Sequence, residues 1–83
     1  MPRLLNVSEH AFARMAQYGV DFGDVDSVLA NGVRYYDPGR IYETGKIVTV
    51  LDGLQVVQNP ETDLIITVIR SSRIAPRYVF LDF

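Results

Sequence analysis

Asp52-Gly53 separates two apolar runs, Lys46–Leu51 and Leu54–Gln58. An Asp-Gly pair between such runs takes the positive φ angles of a tight hairpin turn, so the two runs must pair antiparallel. Lys46–Leu51 is apolar on both faces, which predicts a central strand. Upstream, Val33–Asp37 and Arg40–Thr44 flank Pro38-Gly39, a turn signal, and predict two more strands. Downstream, Asn59-Pro60-Glu61-Thr62 reads as a loop before the β-branched run Asp63–Arg70. Strict alternation there puts Leu64, Ile66 and Val68 on one face and Ile65, Thr67 and Ile69 on the other. Ser71–Pro76 is irregular. Tyr78–Phe83 predicts a last strand, because its Tyr, Phe and Leu are unusual for a free tail.

The first third of the chain has a different period. Ser8 is a good helix N-cap, and Glu9 stands at the positive end of the helix dipole. Ala11, Phe12, Met15 and Ala16 follow a helical spacing, with Tyr18 extending the stripe, and Phe12, Met15 and Ala16 are expected to point to the core. Gly19 supplies a left-handed C-cap, and Val20 locks the exit. Asp21 caps a second helix, with Asp24 completing a variant of the capping box. Phe22, Val25, Val28 and Leu29 make its apolar face, and Asn31-Gly32 closes it. The predicted architecture is α+β: two N-terminal helices packed on one face of a four- to five-stranded, mainly antiparallel sheet.

The chain has 83 residues, enough for a single domain over 1–83. A domain of this size buries only about 60–65% of its unfolded surface. It contains no cysteine, so no disulfide staples it and no thiolate holds a metal. The core, or a partner surface, must supply the stability. The net charge of −2 lacks the positive excess of typical nucleic-acid binders. The opening MPRLLNV is too short an apolar run for a signal peptide, and no window approaches the length of a membrane span. A cytoplasmic location without membrane contact is the expectation. One histidine and no Glu-x-x-His spacing speak against metal catalysis, and no glycine-rich phosphate loop or Gly-x-Ser-x-Gly elbow is present. No cofactor is implied.

Two constellations could carry chemistry. His10 and Arg14 are four apart, hence on one helix face, with Gln17 and Asp21 continuing the line. A guanidinium beside an imidazole favours the neutral ring, which can act as a general base. Base plus guanidinium is the minimum for metal-free cleavage of RNA by the 2′-hydroxyl. The plainer reading is a solvated pair on a surface helix. From Leu64 to Leu81 the chain carries Arg70, Arg73 and Arg77 and no acid. Arginine is the better phosphate ligand, and Tyr78 adds a stacking surface beside Arg77. The plainer reading is a solvated edge. Thr67 is ambiguous between a structural strand position and a hydroxyl for a substrate phosphate. The hairpin Val33–Asp37 with Arg40-Ile41-Tyr42-Glu43 reads best as an amphipathic edge.

Ser8-Glu9-His10-Ala11-Phe12-Ala13-Arg14-Met15 resembles the S-x-H-A-x-x-R-M opening of a small bacterial family, the domain of unknown function 4258. The likeness runs through Gly19-Val20 and the acidic second helix to Val28-Leu29. It ends in Ile65-Ile66-Thr67-Val68-Ile69-Arg70, which is similar to the family's I-x-T-V-x-R strand. The order of elements also resembles the RelE-like, or barnase–colicin–RelE, ribonuclease toxins, which place two helices before a four-stranded sheet. The resemblance implies that His10 and Arg14 face the sheet's active surface, joined by Arg70 and Thr67. The chain departs from the family's R-M-x-x-R-G at Tyr18, and from strongly basic toxins in its acidity.

Three functions follow as expectations. The first is a RelE-like, metal-independent ribonuclease, with His10 as base, Arg14 and Arg70 as phosphate ligands, Thr67 beside them, and Arg73, Arg77 and Tyr78 holding RNA. The second is a non-catalytic interaction module, a homodimer through Tyr78–Phe83 or the partner of a cognate antitoxin. The third is a phosphate- or nucleotide-binding regulator using the same arginines.

Overall fold

The computed structural model describes residues 5–39 and 44–81. Two helices, α1 (Glu9–Tyr18) and α2 (Phe22–Asn31), precede five strands. These are β1 (Val33–Asp37), β2 (Lys46–Leu51), β3 (Leu54–Gln58), β4 (Ile65–Arg70) and β5 (Val79–Phe80).

The caps form as their residue types dictate. Ser8 Oγ accepts from the Ala11 amide at 3.0 Å and donates to the Ile66 carbonyl at 2.9 Å, so one hydroxyl starts α1 and ties it to β4. Replacing Ser8 with alanine is expected to cost about 1–2 kcal/mol in urea unfolding, the sum of a lost cap and a cross-tie. Gly19 takes φ 67°, and the Gly19 and Val20 amides donate to the Ala16 and Met15 carbonyls. Asp21 and Asp24 form a reciprocal capping box. Of the expected apolar stripe of α1, Ala11 and Met15 are buried, whereas Phe12 is 58% exposed and Ala16 is exposed. The core side of the helix runs along Ala11 and Met15, four residues apart, which leaves Phe12 at its margin beside Phe22.

The strand order is β4-β3-β2-β1-β5, and every neighbouring pair is antiparallel. Asp52 (φ 49°) and Gly53 (φ 80°) make the hairpin turn, and β2 is the central strand. Of the expected strand Arg40–Thr44, residues 40–43 lie outside the described residues, and Thr44 is not in a strand. In β4 the expected alternation fails. Gln58 pairs with Ile65 and Val57 with Thr67, so Ile66 is the extra residue of a bulge. Ile65 therefore joins Val68 on the core face. Outside β4, the segment Asn6–Ser8 covers the sheet edge: Val7 bridges Ile65 in parallel, the Ile65 amide donates to Asn6 O at 2.7 Å, and the Ser8 amide to Ile65 O at 3.0 Å.

Both helices pack on one face of the sheet. Ala11, Met15, Val20, Val25 and Val28 meet Leu54, Val56, Ile65 and Val68 in one core. α1 lies on β4 and α2 on β2 and β3, and neither helix contacts β1. The entry from α2 into the sheet is close. A Cβ at Gly32 would stand 2.6 Å from Val28 O and 2.8 Å from Thr49 Cγ2, so any side chain there would lift α2 off the sheet.

The opposite face is covered too. β4 and β5 run parallel at opposite sides of the sheet, so the chain between them must cross it. Gln55, 2% exposed, holds this strap by donating from Nε2 to the carbonyls of Ser71 (2.9 Å) and Arg73 (2.8 Å). Val48 and Val57 are buried on this side. The irregular Ser71–Pro76 is thus a structural layer.

Candidate functional site

His10 and Arg70, the expected base and phosphate ligand, stand at opposite ends of α1. His10 is exposed in the first turn of α1, and Arg14 reaches Gln17 Oε1 with Nη1 at 3.2 Å. Arg70 Nη2 lies 3.5 Å from the Tyr18 carbonyl, at the other end of the same helix. Eight residues at about 1.5 Å each separate His10 from Tyr18, roughly 12 Å along the axis. Arg70 instead lines a small cleft with Asp24, Ser27, Leu51 and Asp52. Thr67 pairs with Val57, which places it on the strap side, and its hydroxyl lies 3.4 Å from the Val68 carbonyl. The sheet therefore stands between Thr67 and His10.

The residues expected to hold RNA do gather on one side, where they build the strap. Arg73 and Tyr78 line a shallow cleft with Gln55, Ile69 and Pro76. Arg77 pairs with Asp37, Nε to Oδ1 at 2.9 Å and Nη2 to Oδ2 at 3.3 Å. Its guanidinium carbon also sits 5.3 Å from the Tyr78 ring centre. Asp37 is 7% exposed, and Gly39 donates to its Oδ1 at 2.9 Å in an Asx turn. Burial pushes its carboxyl up. The Arg77 hydrogen bonds, the Gly39 amide and the charges of Arg77 and Lys46 outweigh that and hold it below the usual carboxylate range. The guanidinium that precedes β5 is thus an anchor for the strap.

That anchor delivers β5 to β1. The Leu81 amide donates to the Arg34 carbonyl at 3.0 Å, and Tyr36 pairs with Val79 and Tyr35 with Phe80. Antiparallel strands alternate the direction of their amides, so Val79 and Leu81 face β1 and Phe80 turns its N–H and C=O outward. Tyr35 packs against both Phe80 (6.0 Å between centroids) and Tyr78 (6.3 Å). Val79 is 54% and Phe80 59% exposed, and Tyr36 lies beside Val79 with its ring against the backbone of Gly45. Tyr78–Leu81 carries no charge. Edge strands are ordinarily protected by charged side chains, proline or a covering segment. The β4 edge has such a cover in Asn6–Ser8; among the described residues the β5 edge has none.

A second apolar exposure lies on the helical layer, where Phe12 and Phe22 stand 6.2 Å apart. A larger, polar cleft opens beside β1, lined by Asn6, Arg34, Thr49, Gln58 and Asp63. Arg34 belongs to the hairpin read as an amphipathic edge, and only its cross-strand pairing with Thr49 brings it into this cleft. Among the described residues no cluster of His, Asp or Glu could hold a metal ion, and no helix is long and apolar enough to cross a membrane. Compared with protein-family models, curated proteins and solved structures, the chain matches none.

Proposed function

We propose that this protein is a non-catalytic interaction module that pairs with a second copy of itself along β5. The observation that carries the reading is the uncharged, apolar edge at Val79–Phe80, which no segment among the described residues covers. A two-fold axis beside Phe80 lets each Phe80 amide donate to the carbonyl of the partner's Phe80, the mutual exchange of an antiparallel pair. The two sheets then continue as one, and the exposed Tyr36, Val79 and Phe80 become interior to it. The ribonuclease reading needs His10 and Arg70 on one phosphodiester, and those side chains serve opposite ends of α1.

Light scattering tests the pairing. Wild-type protein is expected at twice the 9.4 kDa chain mass. Phe80→Glu removes one buried side chain from each copy, so the change acts twice and weakens dimerisation about 100-fold, from about 1.4 kcal/mol per side. Phe12→Glu, on the helical surface, is expected to remain dimeric. A wild-type monomer at millimolar concentration, or an undiminished dimer in Phe80→Glu, contradicts the proposal.

A further inference from the structure

We infer that the helical layer docks a basic amphipathic helix of a partner protein on Phe12 and Phe22. A single exposed apolar side chain is ordinary, whereas grouped ones mark a contact surface. Phe12 is 58% and Phe22 49% exposed, one on each helix, with ring centroids 6.2 Å apart. Beside them lies a hollow of about 190 Å³, lined by Phe12, Met15, Ala16, Val20, Asp21 and Phe22. A hollow of that size takes one benzene-sized or leucine-sized group. All of its lining side chains but Asp21 are apolar, so the group it takes is apolar too.

The charge around the hollow defines the rest of the partner. Glu9–Asn31 holds four acids, Glu9, Asp21, Asp24 and Asp26, against one cation, Arg14. That is a net charge of −3 in a chain whose total is −2, so the remainder of the chain is net +1. Asp21 stands in the wall of the hollow. Glu9 is three residues before Phe12, hence on the same side of α1. Asp21 Oδ1 accepts from the Asp24 amide at 2.8 Å, a bond that leaves the carboxylate its charge. Lysine or arginine at this rim complements Asp21 and Glu9 while an apolar side chain fills the hollow. The partner must therefore carry both residue types a few ångströms apart. Helical spacing at i, i+3 and i+4 does this, and the surface between two adjacent helices seats a third.

This surface is separate from the paired edge. α1 packs on β4, at the opposite side of the sheet from β5, so pairing along β5 does not use Phe12. A dimer then presents the docking surface twice.

Fluorescence anisotropy of a labelled 18-residue peptide (on the order of five helical turns) tests this against the whole chain. The peptide has leucine at i, i+3, i+4 and i+7 positions and lysine elsewhere. Saturable binding is expected, weakened about tenfold by Phe12→Ala or by Phe22→Ala. Asp21→Asn keeps a good N-cap residue on α2 and removes one charge, so it should weaken binding about threefold. The same peptide with glutamate in place of lysine should not bind. Phe80→Glu should leave the affinity unchanged, which keeps this outcome distinct from that of the β5 edge. The inference is overturned by the absence of saturable binding, by equal affinity for the glutamate peptide, by undiminished affinity in any of the three helical-layer variants, or by an equal loss in Phe80→Glu.

Discussion

Replacing Ile65 with alanine is expected to remove a third or more of the domain's stability. Ile65 is 1% exposed, sits under α1 on the core face of β4, and bonds through both backbone groups to the segment Asn6–Ser8. Removing three carbons from such a site costs about 2–5 kcal/mol, the sum of lost transfer energy and the cavity left behind. A domain of this length has about 4–12 kcal/mol in total, at 0.05–0.15 kcal/mol per residue. The shorter Ile65→Val change should cost about 1 kcal/mol. Urea unfolding of both variants checks the pair. A loss under about 1 kcal/mol for Ile65→Ala contradicts the bulge that turns Ile65 inward.

Asp37→Asn is expected to have the next largest effect, and one that depends on pH. The side chain loses its charge-assisted bonds to Arg77 and weakens its bond from the Gly39 amide, for about 1.5–3 kcal/mol at neutral pH. The Asp37 carboxyl is held below its unfolded value. The folded state therefore binds its proton less readily than the unfolded chain does. The stability from this group is fully present above the ordinary carboxylate range, and it is lost as pH falls through the folded value. Wild-type melting temperature should drop on acidification more steeply than that of Asp37→Asn, and the two curves should converge in acid. Parallel curves contradict the role of Asp37. Since Arg77 lies two residues before β5, loss of the pair should also loosen the β5 edge and weaken the dimer.

The fold was legible where local chemistry decides it. Ser8, Gly19, Asp21 and the Asp52-Gly53 turn each dictate their conformation through a side-chain acceptor or a positive φ, and they sit at the boundaries of α1, α2, β2 and β3. The two-sided apolar run of β2 marked the centre of the sheet. Ile65 was misplaced because a bulge leaves no mark in the alternation of β-branched residues. Phe12 was placed in the core because its spacing fits a stripe, and spacing does not say which edge of the stripe the sheet covers. The crossing of Ser71–Pro76 over the far face depends on Gln55 and Asp37, two polar residues that nothing local marks as buried.

The candidate sites followed the same division. Residue type groups His10, Arg14 and Arg70, yet His10 stands at the N-terminal end of α1 and Arg70 at its C-terminal end. Arg77 and Tyr78 stood out correctly as neighbours, but the partner that fixes their role, Asp37, lies forty residues away. Its signal was the Asp-Pro-Gly sequence, which marks a turn and says nothing of a distant arginine. The cleft around Arg34 and Thr49 depends on which strand the helices leave bare, a property of the assembled layers alone.

Amide hydrogen exchange at Phe80 tests the central claim most directly. In a single chain this N–H points away from β1 and has no hydrogen-bond partner among the described residues. Pairing of two β5 strands expects it to exchange slowly, with protection that rises with protein concentration and disappears at the amide of position 80 in Phe80→Glu. Exchange at the rate of an unprotected amide, unchanged between dilute and concentrated protein, contradicts an edge-to-edge dimer.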